Sequence, residues 1–305
     1  MKNMKNIKKC LLGALLAACM LLGFTACDSQ EPPTRGMWDG NVFTSEYLNL
    51  RFVLPTGFVA LSDVEMAAIA GEAYEFVVGA GGVVPDEVNM FRDVHVINQF
   101  TGCNIQIMYE RLTGRAASPA RQMDAIIDQL TGLGIRATAD TGTTRIGNYD
   151  WHSLRTEFTM APGVVVYGRQ FFNIRGRHAR LIVISSPFAD SALFTDLSDM
   201  FAGLTGSLPQ PMSAQRAAQL TATWEWDEDD TWIYQFNADG TGQRGFPNQR
   251  QSFEWYLAAD HTLILALPSV ANPANVELWT ATLVGNSLTL DSQQVPGMSY
   301  SYIRQ

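Results

Sequence analysis

The stretch Leu220–Gln243, LTATWEWDEDDTWIYQFNADGTGQ, decides the fold of the last third of the chain. Trp224 alternates with Trp226, and Trp232 with Tyr234 and Phe236, the period-two spacing of strands that bury one face. Asp239-Gly240 between two such runs is the signal of a tight hairpin turn. The same pattern continues downstream. Candidate strands fall at 221–227, 231–237, 241–245, 251–257, 262–267, 276–283, 287–290 and 300–304. Seven or eight short strands at roughly ten-residue spacing predict an all-β small meander barrel or sheet over residues 214–305.

The words LTATWEWDEDDTWIYQFNADGTGQ, FEWYL (253–257) and LVGNSLTL (283–290) resemble small lipocalin-like domains of bacterial lipoproteins. The resemblance implies a fold and names no ligand. Aromatic rings can act as stacking platforms, which makes Trp224, Trp226, Trp232 and Trp255 the candidate ligand-binding residues. The competing and preferred account is that period-two aromatics fill a small barrel from inside. Asp227-Glu228-Asp229-Asp230 could offer oxygen ligands to calcium. The glycine and distal glutamate of a calcium loop are missing, so a solvated turn is the expectation and no metal is assigned.

Upstream, Leu208–Ser213 contains Pro209 and Pro211 and is the expected hinge. Residues 45–208 hold candidate strands at 47–54, 94–98, 104–109, 135–139, 151–158, 164–174 and 179–185. Helices are expected over 64–70, with Ser62 or Asp63 as N-cap, from Ser118-Pro119 with Met123, Ile126, Ile127 and Leu130 at helical spacing, and over 191–204. Strands interrupted by three helices predict an α+β fold, an antiparallel sheet with packed helices. LNLRFVLPTGFVALSD (48–63), IGNYDWHSLRTEF (146–158) and FFNIRGRHARLIVIS (171–185) resemble PsbP-like domains. That resemblance implies a non-catalytic accessory protein and carries over no catalytic residue.

The first 26 residues combine Lys2, Lys5, Lys8 and Lys9 with an uncharged run from Cys10 to Ala26. This is the layout of a secretory signal peptide. Phe24-Thr25-Ala26-Cys27 resembles the lipobox of bacterial lipoproteins, which implies acylation of Cys27. Leu16-Ala17-Ala18-Cys19 is a rival, but cleavage there would leave an apolar mature N-terminus and a short apolar core. The expected organisation is therefore a lipoprotein signal peptide over 1–26, the lipidated cysteine and a polar tether over 27–44, and the two domains. The expected location is the extracytoplasmic face of the cell membrane, with the membrane itself and an envelope protein as partners.

Beyond residue 26 there are 17 arginines, no lysine and 30 acids, a balance of −13. Schiff-base, phosphate-loop and Ser–Lys chemistry are excluded there, and nucleic acid is disfavoured as a partner. A single further cysteine, Cys103, leaves no internal disulfide. The histidines His95, His152, His178 and His261 show no zinc-ligand spacing, and Gly79–Gly82 lacks the spacing of a dinucleotide loop. Arg175, Arg177 and Arg180 are expected at a solvated hairpin end. The expectation is a non-enzymatic accessory or binding module without a cofactor; the alternative is a solute- or glycan-binding lipoprotein using the C-terminal domain. An enzyme with residues gathered only by folding stays open, because triads are recognised by geometry.

Overall fold

The computed structural model describes residues 33–55, 58–69, 71, 90–98, 102–112, 119–161, 164–176, 178–187, 189, 191–209, 212–257, 262–267 and 275–305. The signal peptide, Cys27, the glycine run 79–82, Arg177 and His261 lie outside them. The described chain is mostly β-structure with few helices, and every strand pairing is antiparallel. No described helix is long and apolar enough to cross a membrane.

The N-terminal part carries two sheets. The smaller is ordered β1 (Met37–Asp39), β2 (Val42–Ser45), β3 (Leu50–Val53) and β12 (Phe201–Gly203). The larger runs β4 (Val59–Ala60), β5 (Met90–Ile97), β6 (Asn104–Arg111), β11 (His178–Ser186), β10 (Val164–Arg175), β9 (Tyr149–Ala161) and β7 (Arg136–Ala139), with β8 (Thr144–Ile146) also on β9. One face of the larger sheet packs Ile105, Ile107, Phe171 and Ile182 against Phe43, Leu50 and Phe52 of the smaller one. The other face packs Met108, Leu154, Phe172 and Leu181 against Met123, Ile126 and Leu130 of the helix Pro119–Gly132. β11 is covered on both sides, and all nine of its residues are buried.

Four local expectations are corrected. The stretch taken as tether, 27–44, contains the β1–β2 hairpin, with Phe43 1% exposed. The strand expected over 47–54 is confined to Leu50–Val53, because Asn49 adopts a left-handed φ of 53° in the preceding turn. The helix expected over 191–204 stops at Ser198, where Phe201 turns to pair with Phe52, ring centroids 4.8 Å apart. Arg180 is 1% exposed, not solvated, because β11 is central and position 180 shares its phase with Ile182 and Ile184. Its guanidinium lies over the rings of Tyr149 and Trp151 and donates to Asn173.

The C-terminal part is a closed barrel of eight antiparallel strands. These are β13 (Thr223–Trp226), β14 (Asp229–Phe236), β15 (Thr241–Phe246), β16 (Gln249–Leu257), β17 (Thr262–Leu267), β18 (Asn275–Val284), β19 (Ser287–Ser292) and β20 (Ser299–Arg304), each bonded to the next and β20 back to β13. The segment taken as a hinge leads into an alanine-rich helix, Met212–Leu220, whose Ala217 and Leu220 pack on the barrel core. Tyr256 and Ile264, on the outer face of the barrel, join the core of the N-terminal sheets, and Val276 and Leu278 pack against it. Phe58 meets Tyr256 with ring centroids 6.3 Å apart.

His95 on β5 gives the N-terminal sheets an acid sensitivity. It is 3% exposed, its Nε2 has no hydrogen-bond partner, and burial with Arg92 nearby lowers its pKa to about 4. An unfolded histidine protonates near 6.5. Between these values the unfolded chain binds more protons, so stability is expected to fall as pH drops from about 6.5 to about 4. Asp93, raised by burial, opposes this trend. His95→Gln should flatten the decline in urea midpoints across that window; an unchanged slope would assign the acid sensitivity elsewhere.

Candidate functional site

Inward-facing side chains divide the barrel into a filled half and an open half. In the filled half, Trp224, Phe236, Phe253 and Trp255 pack with Leu263 and Leu265, closed off by Leu220. Trp224 Nε1 donates to the Leu220 carbonyl at 2.7 Å, and Trp255 Nε1 to the Thr241 carbonyl at 2.9 Å. Gly242 is required here, since a Cβ would sit 2.3 Å from the Phe253 ring.

The open half holds a cavity of about 410 Å³. Trp226, Trp232, Phe246, Trp279, Met298, Tyr300 and Tyr302 line it, with Tyr234, Arg244 and Glu277 supplying the polar groups. That volume lies within the usual range of small-molecule sites. Phe246 and Met298 are 41% and 37% exposed, so the rim is apolar and open to solvent.

An ion pair crosses the lumen from β15 to β18. Arg244 Nη1 and Nη2 donate to Glu277 Oε2 and Oε1 at 2.7 and 2.8 Å, a bidentate fork. Nη1 also donates to the Tyr234 hydroxyl at 2.7 Å and Nε to Gln251 at 3.1 Å. Trp279 Nε1 donates to Glu277 Oε2 at 3.0 Å. Burial alone would depress Arg244, but the Glu277 hydrogen bonds hold it above its ordinary value. Burial raises the Tyr234 hydroxyl to about 12. Tyr302 is also raised, by burial first and then by its tyrosine neighbours. Both phenols therefore keep their protons at neutral pH.

The four candidate tryptophans separate by depth. Trp226 and Trp232 line the cavity; Trp224 and Trp255 belong to the filled core. Trp279 joins the first pair. Tyr234 reads in the sequence only as a barrel-filling aromatic, and Arg244, Glu277, Tyr300 and Tyr302 are not singled out there, although each stands in phase with inward-facing aromatics on its strand. No family model matches this chain. No curated protein matches it either. Two solved structures titled "Crystal structure of SurE" and "Crystal structure of SurE with D-Leu" align at 14% and 12% identity over 61% of this chain. They give TM-scores of 0.21 and 0.19, and likeness at this level carries no argument about fold or ligand. The chain spans less than half the length of those structures, 45% and 47%.

Elsewhere, the acidic run 227–230 lies at the β13–β14 turn, where Asp229 accepts from the Thr231 amide and hydroxyl. Among the described residues no group of three His, Cys, Asp or Glu gathers to hold a metal. His95, His152 and His178 stay apart: His152 stacks on Phe172 and His178 meets the Tyr47 ring. Cys103 is buried, its thiol 3.4 Å from the Ser186 hydroxyl. A second cavity beside Arg155, Tyr167 and Phe194 has about 160 Å³, small for a ligand site.

Proposed function

We propose that this chain is a non-enzymatic binding protein of the cell envelope, held at the extracytoplasmic face of the membrane by lipid on Cys27, that takes a small molecule into the open half of its C-terminal barrel. In this reading the N-terminal α+β part is PsbP-like and the barrel lipocalin-like. The observation that carries it is the aromatic cavity of about 410 Å³ with converging polar groups. The single carboxylate in that cavity, Glu277, is spent on Arg244 and Trp279, which favours binding over acid–base chemistry. Docking of an envelope protein by the N-terminal part remains compatible with it, since the barrel's open end faces solvent.

The test is copurification. The full chain is isolated from bacterial membranes, and its organic extract is compared by mass spectrometry with extracts of Trp232→Ala and Cys27→Ala. A small molecule is expected in stoichiometric amount with the wild type, reduced at least about tenfold in Trp232→Ala, as for loss of a stacking anchor. Cys27→Ala should leave the membrane fraction with its ligand retained. If no molecule follows the wild type, the binding function fails; if Cys27→Ala stays on the membrane, the anchor fails.

A further inference from the structure

The ligand class follows from which polar groups in the lumen are already committed. Arg244 has five N–H donors, and four are used: Nε on Gln251, Nη1 on Tyr234 and Glu277, Nη2 on Glu277. Glu277 accepts three hydrogen bonds, from both Arg244 nitrogens and from Trp279. The pair is neutral as a unit, with one Nη2 proton of Arg244 left over. An anion approaching Arg244 would share it with Glu277 and so face a second carboxylate in a confined space; a cation meets the mirror problem.

Three tyrosine hydroxyls stand on the cavity wall, and the rings of Tyr234 and Tyr302 are direct neighbours there. Tyr234 uses its oxygen to accept from Arg244, so its own proton points elsewhere. Tyr302 is 3% exposed and its hydroxyl bonds to no described residue, while its ring meets that of Tyr234 at 5.2 Å. The two are neighbours and can aim at one acceptor. Most of the remaining wall is aromatic. A buried sugar would need acceptors for several hydroxyls, and the carboxylate of this wall is already occupied by Arg244 and Trp279.

Resting on the barrel mouth as the ligand site, we infer that the ligand is an electrically neutral, ring-containing apolar molecule that presents one hydrogen-bond acceptor to the hydroxyls of Tyr234 and Tyr302. Trp226, Trp232 and Trp279 hold its rings, and Arg244 and Glu277 screen out charged analogues by keeping each other occupied. This separates an apolar solute from a glycan, two options that the sequence leaves together.

A set of probes sharing one ring system tests this by titration calorimetry on the full chain in detergent, against protein-free micelle blanks. 2-Acetylnaphthalene, neutral with one carbonyl, is expected to bind at least tenfold more tightly than 2-naphthoate or 2-naphthylmethylammonium, and cellotriose should not compete. Tyr302→Phe should weaken 2-acetylnaphthalene about fivefold, the worth of one neutral hydrogen bond, and leave 2-ethylnaphthalene unchanged. Equal or tighter binding of 2-naphthoate, competition by cellotriose, or indifference of 2-acetylnaphthalene to Tyr302→Phe would overturn the ligand class while leaving the binding site standing. Failure of every probe to bind would overturn both.

Discussion

Replacing Trp224 with alanine is expected to lower the stability of the chain by about 4 kcal/mol, near the upper end for a buried tryptophan. The side chain is 0% exposed and stands among the rings that fill the closed half of the barrel. It also ties the barrel to the helix Met212–Leu220 through its bond to the Leu220 carbonyl, and Arg304 lies over its ring at 5.6 Å. Truncation removes the packing and leaves that carbonyl to find another donor. The void cannot easily collapse, because β13 is hydrogen-bonded on both sides, to β14 and to β20. Trp224→Phe keeps most of the volume and loses the indole donor, so its cost should be smaller, about 1–2 kcal/mol. Urea unfolding followed by circular dichroism measures both. A cost below about 1 kcal/mol for the alanine variant would mean that this half of the barrel is not packed as described. Ligand affinity of the folded fraction should barely change, in contrast to Trp232→Ala, since Trp224 does not reach the cavity.

That contrast shows where the sequence stops speaking. Period-two spacing places Trp224, Trp226, Trp232 and Trp255 on one face of their strands, and all of them do face inward. All eight barrel strands begin and end close to where the alternation puts them. Depth is another matter: whether an inward ring meets core or cavity depends on which end of the barrel is plugged. The plug is the helix Met212–Leu220, hidden behind Pro209 and Pro211 in a stretch with no strong apolar periodicity. Arg244 and Glu277 were legible in principle, being charges in the inward phase beside Phe246 and Trp279. Their meeting across two intervening strands is a property of closure, which no local pattern reports. The β1–β2 hairpin failed to register because it is short and flanked by polar residues; Gly36 beside it is required by a close approach across the hairpin, a Cβ there lying 2.2 Å from the Phe43 ring. Arg180 fails for the opposite reason: a charge usually marks the surface, and here two aromatic faces and Asn173 hold it inside.

Arg244→Met is expected to cost about 3 kcal/mol, and adding Glu277→Met should return most of that loss. The single variant leaves the Glu277 carboxylate with only Trp279 as donor, in a space where its side chain is 22% exposed. An isolated buried charge is penalised more heavily than its pair was favourable, because the attraction of the pair mainly repays the cost of removing both ions from water. The cavity admits some solvent, which holds the penalty at the lower end of the 3–5 kcal/mol typical of broken buried pairs. Replacing both partners with apolar side chains removes the charge problem entirely. A double-mutant cycle by urea denaturation should therefore give a large coupling energy with a double variant close to the wild type. This outcome would place the pair outside the requirements of the fold and leave its value in the lumen, where it keeps the wall polar yet neutral. If instead the double variant were as unstable as the single one, the bidentate bridge from β15 to β18 would be a structural tie across the barrel. Selection against charged ligands would then be a consequence of that tie.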